Sequence, residues 1–438
     1  MLRIRIGLLT AAIVMLLVPT GCEEDRPDRV VGIENTTSPT QLSEWMEQLG
    51  AVIRATNTQG EEASRILAYA SIAYYEGYAF SSESMRSLVG QLEGLESIPQ
   101  PDPALTYNYG VIAEAAMYKV LDRMYANAPT NIQLVLSSTY TDHERDYLQI
   151  GVAEAVVDRS RDFGSSLGQA IIDWSNEDGY SELSSCSTTV PTGAYDWQPT
   201  PPNFSAAQNA CWGDLRAFTF TPAELITLCH PGIPDEASTQ VYSDAMTEVY
   251  ELGNNINPAQ AEIARFWNDA NGSFTVPGHY ISILADLIDQ NILNGEETVT
   301  AFAHLCIAMA DTYISTYKLK YTYFRPRPVT LIQQTIDSNW ESEMNSPATP
   351  EFPSMRATMA YAAAQVFTNR YGAIEFRDDT YMNVLNIDER IYASFDEMAT
   401  EAALSRLYAG TNVRLTIDRS EYHGRCIAQR ANELFFIQ

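Results

Sequence analysis

The chain has 438 residues, 45% of them hydrophobic and 11% aromatic, with a formal charge of −29. Such length and apolar content supply a full core for one large domain or two smaller ones, and exclude a disordered chain. The acidity excludes nucleic-acid or anionic-membrane binding through a general basic face, so a local cluster of cations stands out.

In chain order, Met1-Leu2-Arg3-Ile4-Arg5 precedes an apolar run from Ile6 to Val18, then Pro19-Thr20-Gly21-Cys22. A short basic stretch and an apolar stretch too short to span a bilayer predict an export signal over 1–21. Cys22 at the cleavage point resembles a lipoprotein box, which implies lipidation of Cys22. The expectation is an exported protein, periplasmic or anchored at the outer membrane, touching a membrane only through that lipid. Residues 22–40 are charged and polar and read as a tether.

From 41 to 178 the pattern is helical, with long runs at Glu61–Leu92 and Thr106–Ala126. Residues 179–235 hold Pro191, Pro199, Pro201, Pro202, Pro231 and Pro234 and predict an extended surface loop. Helical patterns resume at Thr239–Gly253 and continue to the end. The fold class expected is all-α, with an N-terminal helical region at 41–235 and a C-terminal helical domain at 236–438. Cys186, Cys211 and Cys229 sit where a disulfide would staple the loop, while Cys306 lies on an apolar helical stripe. The odd count beyond Cys22 leaves a thiol free, and without a Cys-x-x-Cys pair no zinc ribbon is expected.

One stripe can be followed residue by residue. Val299, Phe302, Cys306, Met309, Tyr313 and Tyr317 recur every three or four positions, and Lys320 takes the next place. A lysine there either reaches solvent or meets an anion. Pro326 and Pro328 end the helix. From Thr312 to Ile336 there is no Asp or Glu, so Lys318, Lys320, Arg325 and Arg327 have no local carboxylate.

Lys320 and Arg327 bracket six residues and Pro328 follows; Lys318, Arg325 and Pro326 repeat that spacing two residues earlier. Pro353-Ser354 and Ser405-Arg406 come later. An ammonium, two guanidinium groups and the Ser354 hydroxyl, brought together from separate helices, would hold a phosphate-sized anion. Backbone donors of a helix starting after Ser354 would add to them.

This set resembles the type 2 phosphatidic-acid phosphatase and vanadium-dependent haloperoxidase superfamily, and most closely its secreted bacterial haloperoxidase-like branch. The family signature is Lys-x6-Arg-Pro, Pro-Ser-Gly-His and Ser-Arg-x5-His. Further stretches that carry the resemblance are 195–202, 211–213, Ile263–Asn268 and 401–410. It favours Lys320/Arg327 over the shifted pair, because Val329-Thr330 follows Pro328 as in that branch. It implies an all-helical bundle, an oxyanion site at Lys320, Arg327, Ser354 and Arg406, vanadate as cofactor, and a homodimer.

Two family histidines are missing. Arg356 stands where the resemblance implies the general acid/base, and Met355 replaces the glycine before it. Asn412 stands where it implies the phosphoryl acceptor or vanadium ligand, and Thr416 replaces the acid that orients it. Arginine stays protonated near neutral pH and an amide is no nucleophile. Vanadate loses its imidazole ligand, and no side chain is expected to ligate a metal directly. Of the five histidines, His143, His230, His279, His304 and His423, none matches a motif position.

The reading preferred is a non-catalytic member that binds phosphate, sulfate, vanadate or a phosphorylated small molecule in the cage. Two others stay open: an active phosphatase or haloperoxidase with an altered nucleophile, and a structural lipoprotein whose cations are buried in ion pairs.

Overall fold

The computed structural model describes residues 39–232, 237–270, 273–290 and 295–437. The signal-like segment, Cys22 and nearly all of the tether lie outside them. Helices α1 (Pro39–Thr56), α2 (Gly60–Ala79), α3 (Tyr109–Met124), α4 (Thr130–Gln149) and α5 (Glu154–Ser175) form the first half. Next come the single turn α6 (Pro222–Leu225), then α7 (Gln240–Asn254), α8 (Pro258–Phe266), α9 (Thr275–Asp289) and α10 (Gly295–Tyr323). Helices α11 (Pro328–Thr335), α12 (Met355–Tyr371), α13 (Met382–Leu385), α14 (Phe395–Tyr408) and α15 (Arg414–Asn432) complete the bundle. Two three-residue strands, β1 (Phe376–Asp378) and β2 (Arg390–Tyr392), pair antiparallel before α14. The all-α expectation holds. Among the described residues no helix is long and apolar enough to cross a membrane.

The axis of the molecule is α10. It packs on α2 on one side and on α12 on the other, while α12 also holds α14 and α15. The stripe from Val299 to Tyr317 is buried throughout, as its spacing predicts, and the rest of the helix is nearly as well covered. Apolar contact is continuous from Leu42 on α1 to Phe436 beyond α15.

The run expected as one helix over Glu61–Leu92 ends at Ala79. Beyond Ser81 and Ser82 the chain turns back, and the Leu88 amide donates to the Glu76 carboxylate at 2.6 Å instead of to a helix carbonyl. A buried acid has replaced the helical ladder, which the apolar pattern alone does not reveal.

Residues 179–232 are largely irregular, as their prolines predict, yet they are firmly fixed. Buried Asp311 of α10 accepts from the Phe218 amide at 2.6 Å and from the Thr219 amide and hydroxyl at 2.9 and 2.6 Å. The Trp197 amide donates to the Phe324 carbonyl at 2.6 Å. Cys186 and Cys211 are joined within the loop, one of the pairings its three cysteines left open. Cys229 is joined to Cys426 on α15, a link across the bundle that sequence reading did not identify. Among the described residues Cys306 is the free thiol, buried in the core.

Helix α15 lies against α12 at Gly424, where an added Cβ would stand 2.1 Å from the Thr358 carbonyl oxygen. That oxygen belongs to the backbone and cannot swing aside. Gly424→Ala should therefore destabilise the fold by about 3 kcal/mol through overpacking, read as a lowered denaturation midpoint in urea.

Candidate anion-binding site

One cavity of about 390 Å3 opens between the two halves, and it collects the predicted residues. Lys320, Arg327, Ser354, Arg356, Arg406 and Asn412 all line it. Each arrives from a different local device. Lys320 ends the α10 stripe; Phe324, at φ 47°, turns the chain out of the helix. Arg327 is extended at the N-cap of α11, with Pro328 at the first helical position. Ser354 is the N-cap of α12, and no side chain caps that helix start, so its first amides remain donors toward the cavity. Arg406 ends α14, and Asn412 lies in the turn before α15.

The cations are held by carbonyl oxygens. The Lys320 ammonium donates to the Pro350, Glu351 and Pro353 carbonyls at 2.6, 3.3 and 2.6 Å. All three of its protons are thereby used, so it gives the site charge and clamps the 350–353 backbone. It neither reaches solvent nor waits for an anion's hydrogen bond. Arg327 donates to the Thr349 carbonyl at 2.9 Å, the Thr411 carbonyl at 3.0 Å and the Thr349 hydroxyl at 3.1 Å. Arg406 donates to Ser405 Oγ at 2.9 Å and to the Trp267 and Ala264 carbonyls at 2.8 and 3.3 Å. Arg356, half-buried, donates through Nε to the Asn268 carbonyl at 2.8 Å. Each guanidinium keeps N–H groups beyond those bonds. Among the described residues, none of these four cations has a carboxylate within 4.0 Å.

Burial disfavours the charged forms. Lys320 is held well below its ordinary range by burial and then by Arg327. Burial, with Arg356 next in weight, does the same to Arg406. Arg327 is pushed down to about 10, again chiefly by burial. The Ser354 hydroxyl donates to Asn412 Oδ1 at 3.3 Å.

Glu351, which sequence reasoning missed, lies behind Asn412. Its Oε1 accepts from Asn412 Nδ2 at 2.9 Å and from the Val413 amide at 3.1 Å; its Oε2 accepts from Thr416 Oγ1 at 2.7 Å. Burial raises this carboxyl, while these donors and Arg327 oppose the rise. Only its place directly before Phe352-Pro353-Ser354 marked it in the sequence. Glu61 and Asp269 also line the cavity and were likewise missed. Asp269 accepts from His279 Nδ1 at 2.9 Å and from the Tyr381 hydroxyl. Burial raises Asp269, but His279, Tyr381 and Arg356 outweigh it and hold the carboxyl below its usual range.

The cavity lining contains no histidine. His279 is buried between Asp269 and Asp378 and raised to about 10: burial opposes the charge, and the two carboxylates overcome it. His423 bonds the Cys229 carbonyl at 2.6 Å, and His304 is buried beside Phe436. His143 meets Glu44 and Glu114, and His230 meets Tyr323. The alternative pair separates as well, for Lys318 leaves the cavity to pair with Asp214 at 2.6 Å.

Because the buried Glu351 carboxylate favours the charged forms of both Lys320 and Arg327, removing it strands them. Glu351→Ala should cost about 3 kcal/mol of stability, measured by urea denaturation; an unchanged midpoint would show that the carbonyls alone suffice.

A family model described as the VCPO second helical-bundle domain matches residues 300–436, inside the predicted C-terminal region. The chain is similar in structure to a bacterial vanadium-dependent iodoperoxidase, with 28% identity and a TM-score of 0.81 over 92% of this chain and 98% of that one. It is also similar in fold to a bacterial vanadium-dependent chloroperoxidase. The apo form gives 15% identity and a TM-score of 0.63 over 84% of this chain and 91% of that one. The holo form gives 14% and 0.62 over 92% and 93%. No curated protein sequence matches the chain.

Proposed function

The chain belongs to the vanadium haloperoxidase superfamily, and we propose that within it this protein binds a phosphate- or vanadate-like oxyanion without turning it over. The observation that carries the reading is the set of cations lining one open cavity, none of which has a carboxylate within ion-pair distance among the described residues. Buried charge without a partner is costly, and an entering dianion would relieve the burial that now depresses Lys320, Arg327 and Arg406. Arg327, Arg406 and Arg356 supply planar donors; Lys320 supplies charge; the start of α12 supplies amides. The same observation weighs against a purely structural role, which needs those cations paired.

Vanadate in the form implied by the resemblance does not fit these residues. Asn412 donates through Nδ2 to both the carbonyl and the carboxylate of Glu351, while its Oδ1 accepts from Ser354. The amide nitrogen has no lone pair to offer, and its protons point away into the protein. Vanadate would enter as a held anion only. Among the described residues no group of His, Cys, Asp and Glu could hold a metal ion.

Catalysis fails for a related reason. A guanidinium is no general acid or base, and no cavity-lining imidazole takes that role; each missing acid or base lowers a rate by about 10²–10⁴-fold. An exported, Cys22-lipidated protein that presents this site outside the cytoplasm completes the proposal. Its two disulfides accord with an oxidising compartment.

Calorimetry with phosphate, sulfate and vanadate should show binding that Arg327→Ala weakens by about 10–100-fold. Absence of binding to the wild type would sink the reading. Aryl-phosphate hydrolysis and bromide oxidation should stay at background; turnover abolished by Arg406→Ala would establish an enzyme instead. The double replacement Arg356→His, Asn412→His should raise either activity above the wild type if the scaffold is otherwise intact.

A further inference from the structure

The cavity has room for more than a bare anion. Its volume of about 390 Å3 equals roughly a dozen water molecules at about 30 Å3 each. Beyond the cage its lining is of another kind: Glu61 from α2, with Tyr313 and Tyr317 from α10. Glu61 is 7% exposed. It accepts from the Asn209 side chain and from Tyr317, and among the described residues it has no ion pair. The rings of Tyr313 and Tyr317 have centroids 6.0 Å apart. Gly60 makes room for the first of them, since a Cβ there would lie 2.2 Å from the Tyr313 hydroxyl oxygen.

A carboxyl and two aromatic rings in one wall suit an organic ammonium group, which finds counter-charge and π-faces there. The other acid of the lining, Asp269, is already occupied by His279 and Tyr381 beside Arg356. That leaves Glu61 as the lining carboxyl that has neutral donors and, among the described residues, no cationic partner. The cavity lining thus carries one such carboxyl besides its guanidinium groups.

Resting on the oxyanion reading above, we infer that the ligand is a small amino-alkyl phosphate monoester, its phosphate among Arg327, Arg356 and Arg406 and its ammonium against Glu61, Tyr313 and Tyr317. A monoester carries the dianionic, three-oxygen head that three guanidinium groups and a helix start can surround. Burial raises Glu61 to about 7, so it has a charge to gain when a cation arrives.

The test compares ligands by calorimetry on the whole chain. O-Phosphoethanolamine should bind about tenfold more tightly than inorganic phosphate, the effect of one added charge-assisted contact. 2-Hydroxyethyl phosphate, equal in length but without the ammonium, should show no such gain. In Glu61→Gln the ratio of the two affinities, phosphoethanolamine to phosphate, should fall to near one. Should that variant fail to fold, the comparison of the two esters on the wild type still decides. Phosphate binding with no preference for the aminoethyl ester would overturn the inference and leave the oxyanion reading standing. No binding of phosphate at all would remove both. Binding to phosphatidylethanolamine vesicles, which present the same ends on a diester, would overturn the assignment to a soluble monoester.

Discussion

Positive charge buried without negative charge against it is the constraint around which this molecule is organised. Three of the four cations are almost wholly covered, and their partners are chiefly carbonyl oxygens of other chain segments. Carbonyls satisfy donors but cancel no charge, so the field survives and is directed at the cavity. Holding those carbonyls in place requires rigid backbone on every side. The Lys320 ammonium gathers residues 350–353, Arg327 ties Thr349 to Thr411, and Arg406 ties α14 to the end of α8. The cage is therefore also the joint at which four separate chain segments meet.

The two positions at which the resemblance implies histidine, Arg356 and Asn412, are both hydrogen-bonded into the surrounding structure. Asn412, Thr416 and the Glu351 carboxylate form a closed hydrogen-bonded unit, with Ser354 attached to it. A damaged site would leave buried donors and acceptors without partners, each costing about 1–3 kcal/mol. Here the substituted positions satisfy one another. Such mutual fit is what the proposed anion-holding role requires of these positions.

Much of the site was legible because its residues occur in short motifs whose spacing reflects backbone geometry. Lys320 could be placed by following one stripe, and Arg327 by the prolines that end the helix. Glu351, Glu61 and Asp269 were not legible, for acids are plentiful in this chain and burial depends on tertiary contact. Glu61 meets the cage only because α2 packs along α10, a long-range contact that no local pattern encodes. The same limit explains the misjudged helix after Ala79, where Glu76 captures a distant amide. Fold class was easier, because helical periodicity recurs along the whole chain while each of these acids acts once.

The bond between Cys229 and Cys426 has a topological consequence. Lys320, Arg327, Ser354, Arg356, Arg406 and Asn412 all fall between those two positions, so every one belongs to a single covalent ring. A peptide bond severed anywhere on that ring yields no separable fragments; it only opens the circle. The ring keeps its cationic elements tethered to one another even after a proteolytic nick.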